Sequence, residues 1–460
     1  MIATGLSASA LVCTCLAALF DVHAFPLPEP RAHVLLANAD ADGTADVFVL
    51  DGLRLLAYPS AADYAPIIIP LADGTSAFDI VDLDGDGRSE VIAVCHDRIL
   101  RYTIPAEGAS PPAEELFTLQ TQLDPAPSPY PQVLVVKHEG RSLLALPCVG
   151  AIELRAADST LVSRYAAADK TLLVADEDMT AWPLWRSPSR EGDLDLDVWI
   201  LRQFEPKSVT ADIPFAPFAN DPVRRAPDRF VFDGDPSEEP CTWFPLKTDR
   251  TTLLRALCRS ARRGQSTTVR IREAKSEEDD FLDKNTTLGP ARNYAGEQVF
   301  HDEDHPDFNG DGYVDLTLWK APSPGMSVDA LTRAITGGAW PLDLVFHLFS
   351  PEKRRFEAMA CSRIALTVPV RWFLEGEPVQ NEVFRDFDGD KRTDFALSDT
   401  DHSFSAWLFT DNGFSRSPDF RHTFPESIQD VAFRADLDGS GRTSIGLRTD
   451  KHLYLLKASS

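Results

Sequence analysis

Asp82-Leu-Asp84-Gly-Asp86-Gly-Arg-Ser-Glu90 sets oxygen-bearing side chains at positions 1, 3, 5 and 9 of a nine-residue stretch, with glycine at positions 4 and 6. Donors so spaced converge when the backbone turns sharply, and such a set suits a hard cation such as Ca2+, which takes about 6–8 oxygens. The pattern recurs as Asn38-Ala-Asp40-Ala-Asp42-Gly-Thr-Ala-Asp46, as Asp307-Phe-Asn309-Gly-Asp311-Gly-Tyr-Val-Asp315 and as Asp386-Phe-Asp388-Gly-Asp390-Lys-Arg-Thr-Asp394. A fifth copy, Asp436-Leu-Asp438-Gly-Ser440-Gly-Arg-Thr-Ser444, keeps two acids and has serine at positions 5 and 9. The candidate metal ligands are therefore Asn38, Asp40, Asp42 and Asp46; Asp82, Asp84, Asp86 and Glu90; Asp307, Asn309, Asp311 and Asp315; and Asp386, Asp388, Asp390 and Asp394. About four structural calcium sites are expected, with little or no ion at the fifth loop.

An EF-hand competes for any acidic loop of this kind, but it needs a bidentate Glu at position 12 and flanking helices. Here position 12 is Val49, Ala93, Leu318, Leu397 or Leu447. Beyond position 9 the apolar residues alternate, as in Val47-x-Val49 and Phe395-x-Leu397, and short apolar runs such as Val34-Leu-Leu and Val383-Phe precede the loops. A period of two marks half-buried strands, so each loop is expected to be the tip of a β-hairpin.

The 460 residues carry a formal charge of -26, from 71 acidic and 45 basic side chains. That balance argues against nucleic acid and anionic membrane surfaces as partners. An apolar stretch from Leu6 to Phe20 is followed by Val22-His-Ala24, and Ala24/Phe25 has the small residues of a signal-peptidase site. Residues 1–24 are read as a signal peptide and 25–460 as the folded unit, with an uncleaved anchor as the alternative; no basic residue precedes the stretch, and neither Cys13 nor Cys15 has a lipoprotein context. No later segment is long and apolar enough to span a membrane. Cys95, Cys148, Cys241, Cys258 and Cys361 remain, with Cys241 and Cys258 the best local pair and Cys95 and Cys148 read as buried strand residues. Loose calcium loops fill only where calcium is millimolar, so leader and loops agree on an extracytoplasmic location, secreted, periplasmic or at the cell surface.

Between the strong copies lie weaker echoes: strand–turn–strand over Val133–Leu146, Glu191–Asp197, and Phe232–Asp235 ahead of Trp243. Further strands follow the hairpins, as in Leu53–Tyr58 and Ile99–Ile104. A unit of about four strands repeated every ~40–50 residues is the pattern of a propeller blade, which buries its faces only against neighbouring blades. The expected fold is all-β: a seven-bladed or eight-bladed β-propeller with calcium-binding hairpin loops. Insertions are expected at about 260–289 and 322–340, the latter with a short helix over Ser327–Ile335, and Trp199, Trp243 and Trp319 are read as blade packing. The last unit looks one strand short, and the segment from Phe25 onward is the candidate to supply it.

These D-x-D-G-D-G-x-x-D/E hairpins resemble the FG-GAP/VCBS repeat family and the loops of integrin α-subunit propellers. The resemblance covers roughly residues 31 to 460 and implies a seven- or eight-bladed propeller with calcium on one rim. Ala41, Lys391, Ser440 and Ser444 depart from that pattern.

For function, no nucleophile elbow, H-E-x-x-H motif or phosphate loop appears. The reading is a secreted, monomeric, calcium-stabilised propeller that acts as a binding or adhesion module for a protein or glycan partner. Alternatives on the same scaffold are a lectin-like glycan binder or a polysaccharide lyase, for which His96 or the Arg-rich stretch 262–275 could supply the base. His301-Asp-Glu-Asp-His305 is read as a polar entry to the third loop rather than a second metal site, and Asn285-Thr-Thr is a glycosylation sequon.

Overall fold

In the computed structural model the described residues are 19–105, 111–119, 129–131, 134–138, 141–148, 151–166, 306–322, 338–375 and 379–459, with the strands Thr242–Pro245, Leu254–Arg259, Thr268–Glu273, Lys284–Thr287 and Tyr294–Val299. Their main sheets are seven, six of four strands and one of five, each built on four antiparallel strands, in chain order in the first six, and two short two-stranded sheets accompany them. The first holds Val34–Ala37, Asp46–Asp51, Arg54–Tyr58 and Ile67–Pro70. The second holds Thr75–Val81, Glu90–Cys95, Arg98–Thr103 and Glu114–Thr118, and Tyr130–Pro131 adds a short parallel strand to it. The third runs from Val135–His138 to Leu161–Ala166 and the fourth from Thr242–Pro245 to Lys284–Thr287. In the fifth, Tyr294–Val299, Leu316–Pro322 and Ala339–His347 precede Ser362–Pro369. The sixth joins Gln380–Arg385, Asp394–Thr400, Ser403–Trp407 and Phe420–Thr423.

The seventh sheet takes three strands from the end of the chain, Ile428–Ala435, Ser444–Thr449 and His452–Ala458, and its fourth from the beginning. Phe20–Pro26 lies antiparallel on His452–Ala458, from Phe20↔Ala458 to Pro26↔His452. The chain is thus an all-β propeller whose last blade is completed by its first strand. The expectation of a late latch strand holds in kind, but the strand starts at Phe20, so the boundary drawn after Ala24 falls inside it.

Sheets bury their faces against one another through apolar seams, as blades must. Phe48, Leu55 and Ile69 of the first sheet meet Phe78, Val91 and Tyr102 of the second. Ile92 and Val94 meet Leu144 and Leu146 of the third. Leu344, Phe346 and Ile364 of the fifth sheet meet Phe384, Phe395 and Trp407 of the sixth. Val383 and Phe404 meet Ile445, Leu456 and Phe20 of the seventh. Phe25, Phe433 and Leu455 then pack on Val34, Val47 and Tyr58 of the first. Because second strands are covered on both faces, Glu90–Cys95 is buried throughout, whereas Ser362–Pro369 at an outer position alternates buried and exposed.

Two expectations change. Ser260–Gly289 is not a plain insertion: Thr268–Glu273 and Lys284–Thr287 within it are the outer strands of the fourth sheet, paired to Leu254–Arg259 and to each other. The start of the expected 322–340 insertion also belongs to the fifth sheet, through Pro322, and its end through Ala339 and Trp340. The helix expected at 327–335, the echoes at 191–197 and 232–235, Trp199, Cys241 and its bridge, and His301–His305 lie outside the described residues. Neither Cys95, which is buried with its thiol 3.7 Å from the Thr75 hydroxyl, nor half-buried Cys361 takes part in a disulfide. Among the described residues no helix is long and apolar enough to cross a membrane.

Gly446 shows how tightly the closing sheet is built. It faces Phe433 across the strand pair, and a Cβ there would stand 2.3 Å from the Phe433 ring. Gly446→Ala should therefore destabilise the protein by about 1–3 kcal/mol in chemical denaturation; an unchanged midpoint would show that the ring does not sit there.

Candidate metal centre

Each acidic loop joins the first and second strands of its sheet, as the hairpin reading expects. Position 1 folds the tip by accepting backbone N–H groups. Asp82 Oδ1 accepts from Gly85 (2.7 Å) and Oδ2 from Gly87 (2.9 Å); Asp386 accepts from Gly389 (2.6 Å) and Lys391 (2.7 Å); Asp307 accepts from Asp311 (3.0 Å) and Gly312 (2.7 Å). Asn38 accepts from Ala41 at 2.8 Å. Position 5 accepts from position 7, as Asp86 does from Arg88 (2.7 Å) and Asp390 from Arg392 (2.8 Å). This winding forces positive φ at positions 4 and 6, which glycine meets without strain. Ala41 (φ 66°) and Lys391 (φ 70°) adopt the same left-handed backbone with a Cβ, so their departure from the repeat leaves the geometry intact at an energetic cost.

Position 9 does more than the spacing alone suggests. Asp46, Glu90, Asp315 and Asp394 are buried, and each accepts the N–H of its own loop's position 2: Ala39 (2.9 Å), Leu83 (2.9 Å), Phe308 (2.8 Å) and Phe387 (2.8 Å). In three of them the second oxygen accepts an amide just past the third strand, from Ser60 (2.7 Å), Phe349 (2.7 Å) and Phe409 (2.8 Å). Glu90 instead faces the Arg101 guanidinium at 3.7 Å. In the fifth loop Ser444 Oγ takes the equivalent amide, Ala458, at 3.0 Å. Position 9 is therefore a clamp between loop tip and third strand, whether or not it also binds a cation.

Burial without a full set of opposite charges raises the proton affinity of these acids. It pushes Asp46 up to about 6, Asp394 up to about 8 and Asp315 well above the carboxylate range, with the neighbouring loop acids adding to the effect. Glu90, Asp307 and Asp388 are raised as well, again chiefly by burial. Asp438 of the degenerate loop goes the other way, held down first by the Ser440 hydroxyl.

The carboxylates of Asp82, Asp84 and Asp86 present oxygens within 4.8 Å of one another, and so do those of Asp386, Asp388 and Asp394. In the other two loops an amide replaces one acid: Asn38 heads the first, and the Asn309 amide donates to Asp311 at 2.9 Å. Asp40 Oδ2 is buried and has no hydrogen-bond partner among the described residues. A cation could be held by positions 1, 3 and 5 in the loop 82–90 and by positions 1, 3 and 9 in the loop 386–394.

The loops also touch one another. The position-8 amide of one reaches the position-1 carbonyl of the loop before it: Ser89 to Asn38 (2.7 Å), Thr393 to Asp307 (2.8 Å) and Thr443 to Asp386 (2.7 Å). Ala45 closes the join to the fifth loop at Leu437 (2.5 Å). Five loops thus follow one another along one rim, in the order 307, 386, 436, 38, 82. In the degenerate loop Arg442 donates from Nε to the Asp388 carbonyl (3.0 Å) and from Nη1 to Ser459, lying across Gly389. Position 7 is also arginine in two other loops, as Arg88 and Arg392, but Arg392 turns instead to Asp411 at 2.8 Å; the sequence reading missed the tie made by Arg442 because it tracked acids alone.

No protein-family model and no curated protein matches the chain. Among solved structures it is similar to a crystal structure of BBS1N in complex with ARL6DN soaked with mercury, at 10% identity over 96% of this chain and 97% of that one, with a TM-score of 0.29. It is also similar to a crystal structure of the mitotic checkpoint complex, at 10% identity over 100% of this chain and 98% of that one, with a TM-score of 0.30. The propeller assignment stands on this chain's own sheet order and register.

Two outcomes are expected. A carboxyl whose pKa is raised by folding stabilises the native state fully below its unfolded value near 4, and that contribution is lost as pH climbs through the folded value. Chelator-treated protein should therefore lose on the order of a few kcal/mol between pH 5 and pH 8.5, through Asp46, Asp315 and Asp394; denaturation midpoints that rise over this range would contradict it. Lys391→Gly should raise stability by about 0.5–1 kcal/mol, because it removes left-handed strain.

Proposed function

We propose that this protein is a calcium-stabilised propeller of the FG-GAP/VCBS type that works outside the cytoplasm as a binding module for a macromolecular partner. The observation that carries the reading is the convergence of Asp82, Asp84 and Asp86, and of Asp386, Asp388 and Asp394, on loops tied edge to edge along one rim. Four such loops concentrate negative charge that a divalent cation relieves. With calcium at about 2 mM and Kd between about 0.1 and 1 mM, each ion would add about 0.7–1.8 kcal/mol of stability. Millimolar calcium is found outside the cytoplasm, which fits the apolar N-terminal stretch.

Under this reading the ions hold the scaffold and the partner is recognised elsewhere on the propeller. The rim opposite the calcium loops carries a polar cluster suited to contact. Glu426 there accepts from Tyr454 (3.0 Å) and lies 3.2 Å from His452, while His402 faces Ser427 at 3.4 Å. A protein partner is the first reading and a glycan the second. His96, the residue fitted to the lyase alternative, sits exposed in the turn between Glu90–Cys95 and Arg98–Thr103.

Calcium titration by calorimetry should show about four sites, and excess chelator should lower Tm by many degrees. Asp386→Asn with Asp388→Asn should remove one site and leave the rest. A melt unchanged by chelator, with no heat of calcium binding, would sink the reading. Glycan-array binding in calcium separates the lectin alternative from the protein-binding one, and unsaturated products from uronic-acid polymers would reveal a lyase.

A further inference from the structure

The N-terminal residues that look like the end of a leader are the strand that closes the ring. Phe20–Pro26 pairs with His452–Ala458 over its full length, and the ladder continues past both ends through Ser459 N–H to the Leu19 carbonyl (3.0 Å) and Leu27 N–H to the Lys451 carbonyl (2.7 Å). Phe20 is 2% exposed, edge-on to Phe387 (5.5 Å) in the loop 386–394 and to Phe420 (5.0 Å) of the sixth sheet. Phe25, equally buried, packs at a tilt against the Tyr58 ring (4.7 Å) of the first sheet. His23 lies 4.5 Å from the Tyr64 ring, and Lys457 covers that ring's face at 5.9 Å. One short strand therefore plugs into both neighbouring blades.

Cutting at Ala24/Phe25 would remove five of the seven paired residues, Phe20 to Ala24, and leave the edge of His452–Ala458 bare. An unpaired apolar edge is an association hazard that folded proteins cover. We propose that Phe20–Ala24 is retained in the mature protein as the closing strand, so that Ala24/Phe25 is not a processing site and any cleavage of the leader falls before Phe20. Cys15 and Ala17 offer small residues at -3 and -1 for a cut at Ala17/Ala18, which leaves the strand whole. Nothing in this inference depends on whether the loops take calcium.

The test is the N-terminus of the full chain expressed from its own start codon in a secreting host and read by intact mass and N-terminal sequencing. A mature chain starting at Phe20 or earlier, including an unprocessed one, supports retention; any start from Asp21 onward overturns it. Purified chains starting at Leu19 and at Phe25 give a second readout. The first should melt like the full chain, and the second should melt at least about 5 °C lower or associate. Equal melts of monomeric protein from both would overturn the structural role of the strand.

Discussion

Four of the five loops on the rim bury a carboxylate at the foot of their hairpin, and their placement depends on it. Removing a charge from water is unfavourable unless it is paired, hydrogen-bonded or neutralised. Asp46, Asp315 and Asp394 meet that demand in part, with one backbone amide from their own loop and one from the third strand. These amides fix where the loop stands on its blade. The remaining demand falls on a proton or a cation, and that links the stability of the scaffold to the loop acids in front.

Once each loop is fixed on its blade, its neighbours are within reach of backbone hydrogen bonds. The amides of Ser89, Thr393 and Thr443 then stitch blade to blade along the rim while apolar seams join the sheets beneath. The loop 436–444 keeps the same turns with Ser440 and Ser444 in place of acids, and Arg442 reaches from it to the neighbouring loop and to Ser459. Because the Ser459 amide in turn holds Leu19, this arginine joins the rim to the closing strand.

Much of this was legible in the sequence, and the reason is periodicity. Alternating apolar residues after position 9, with Val49, Ala93, Leu318, Leu397 and Leu447 at position 12, already made the loops hairpins, and their recurrence made the hairpins blades. Positions 1, 3 and 5 stood out by their spacing, and positions 1 and 5 fold the loop tip by accepting backbone N–H groups. What stayed hidden is carried by the backbone: the amide-to-carbonyl ties between loops have no side-chain signature, and the double hydrogen bonding at position 9 looks like one more ligand. The first part of the closing strand was masked by its own composition, since Phe20 to Ala24 read as the end of an apolar leader, and only the segment from Phe25 onward was expected to close the last unit. The outer strands of the fourth sheet were taken for an insertion because charged residues flank Val269 and Ile271, although that alternation was itself a strand signal.

The most direct test of the buried-carboxylate constraint is infrared difference spectroscopy of ion-free protein at pH 7, with and without added calcium. We expect a protonated-carboxyl C=O band in the ion-free state that disappears when calcium is added and is weakened by Asp394→Asn. Ion-free protein with no protonated-carboxyl band at that pH, or a band indifferent to calcium, would contradict it.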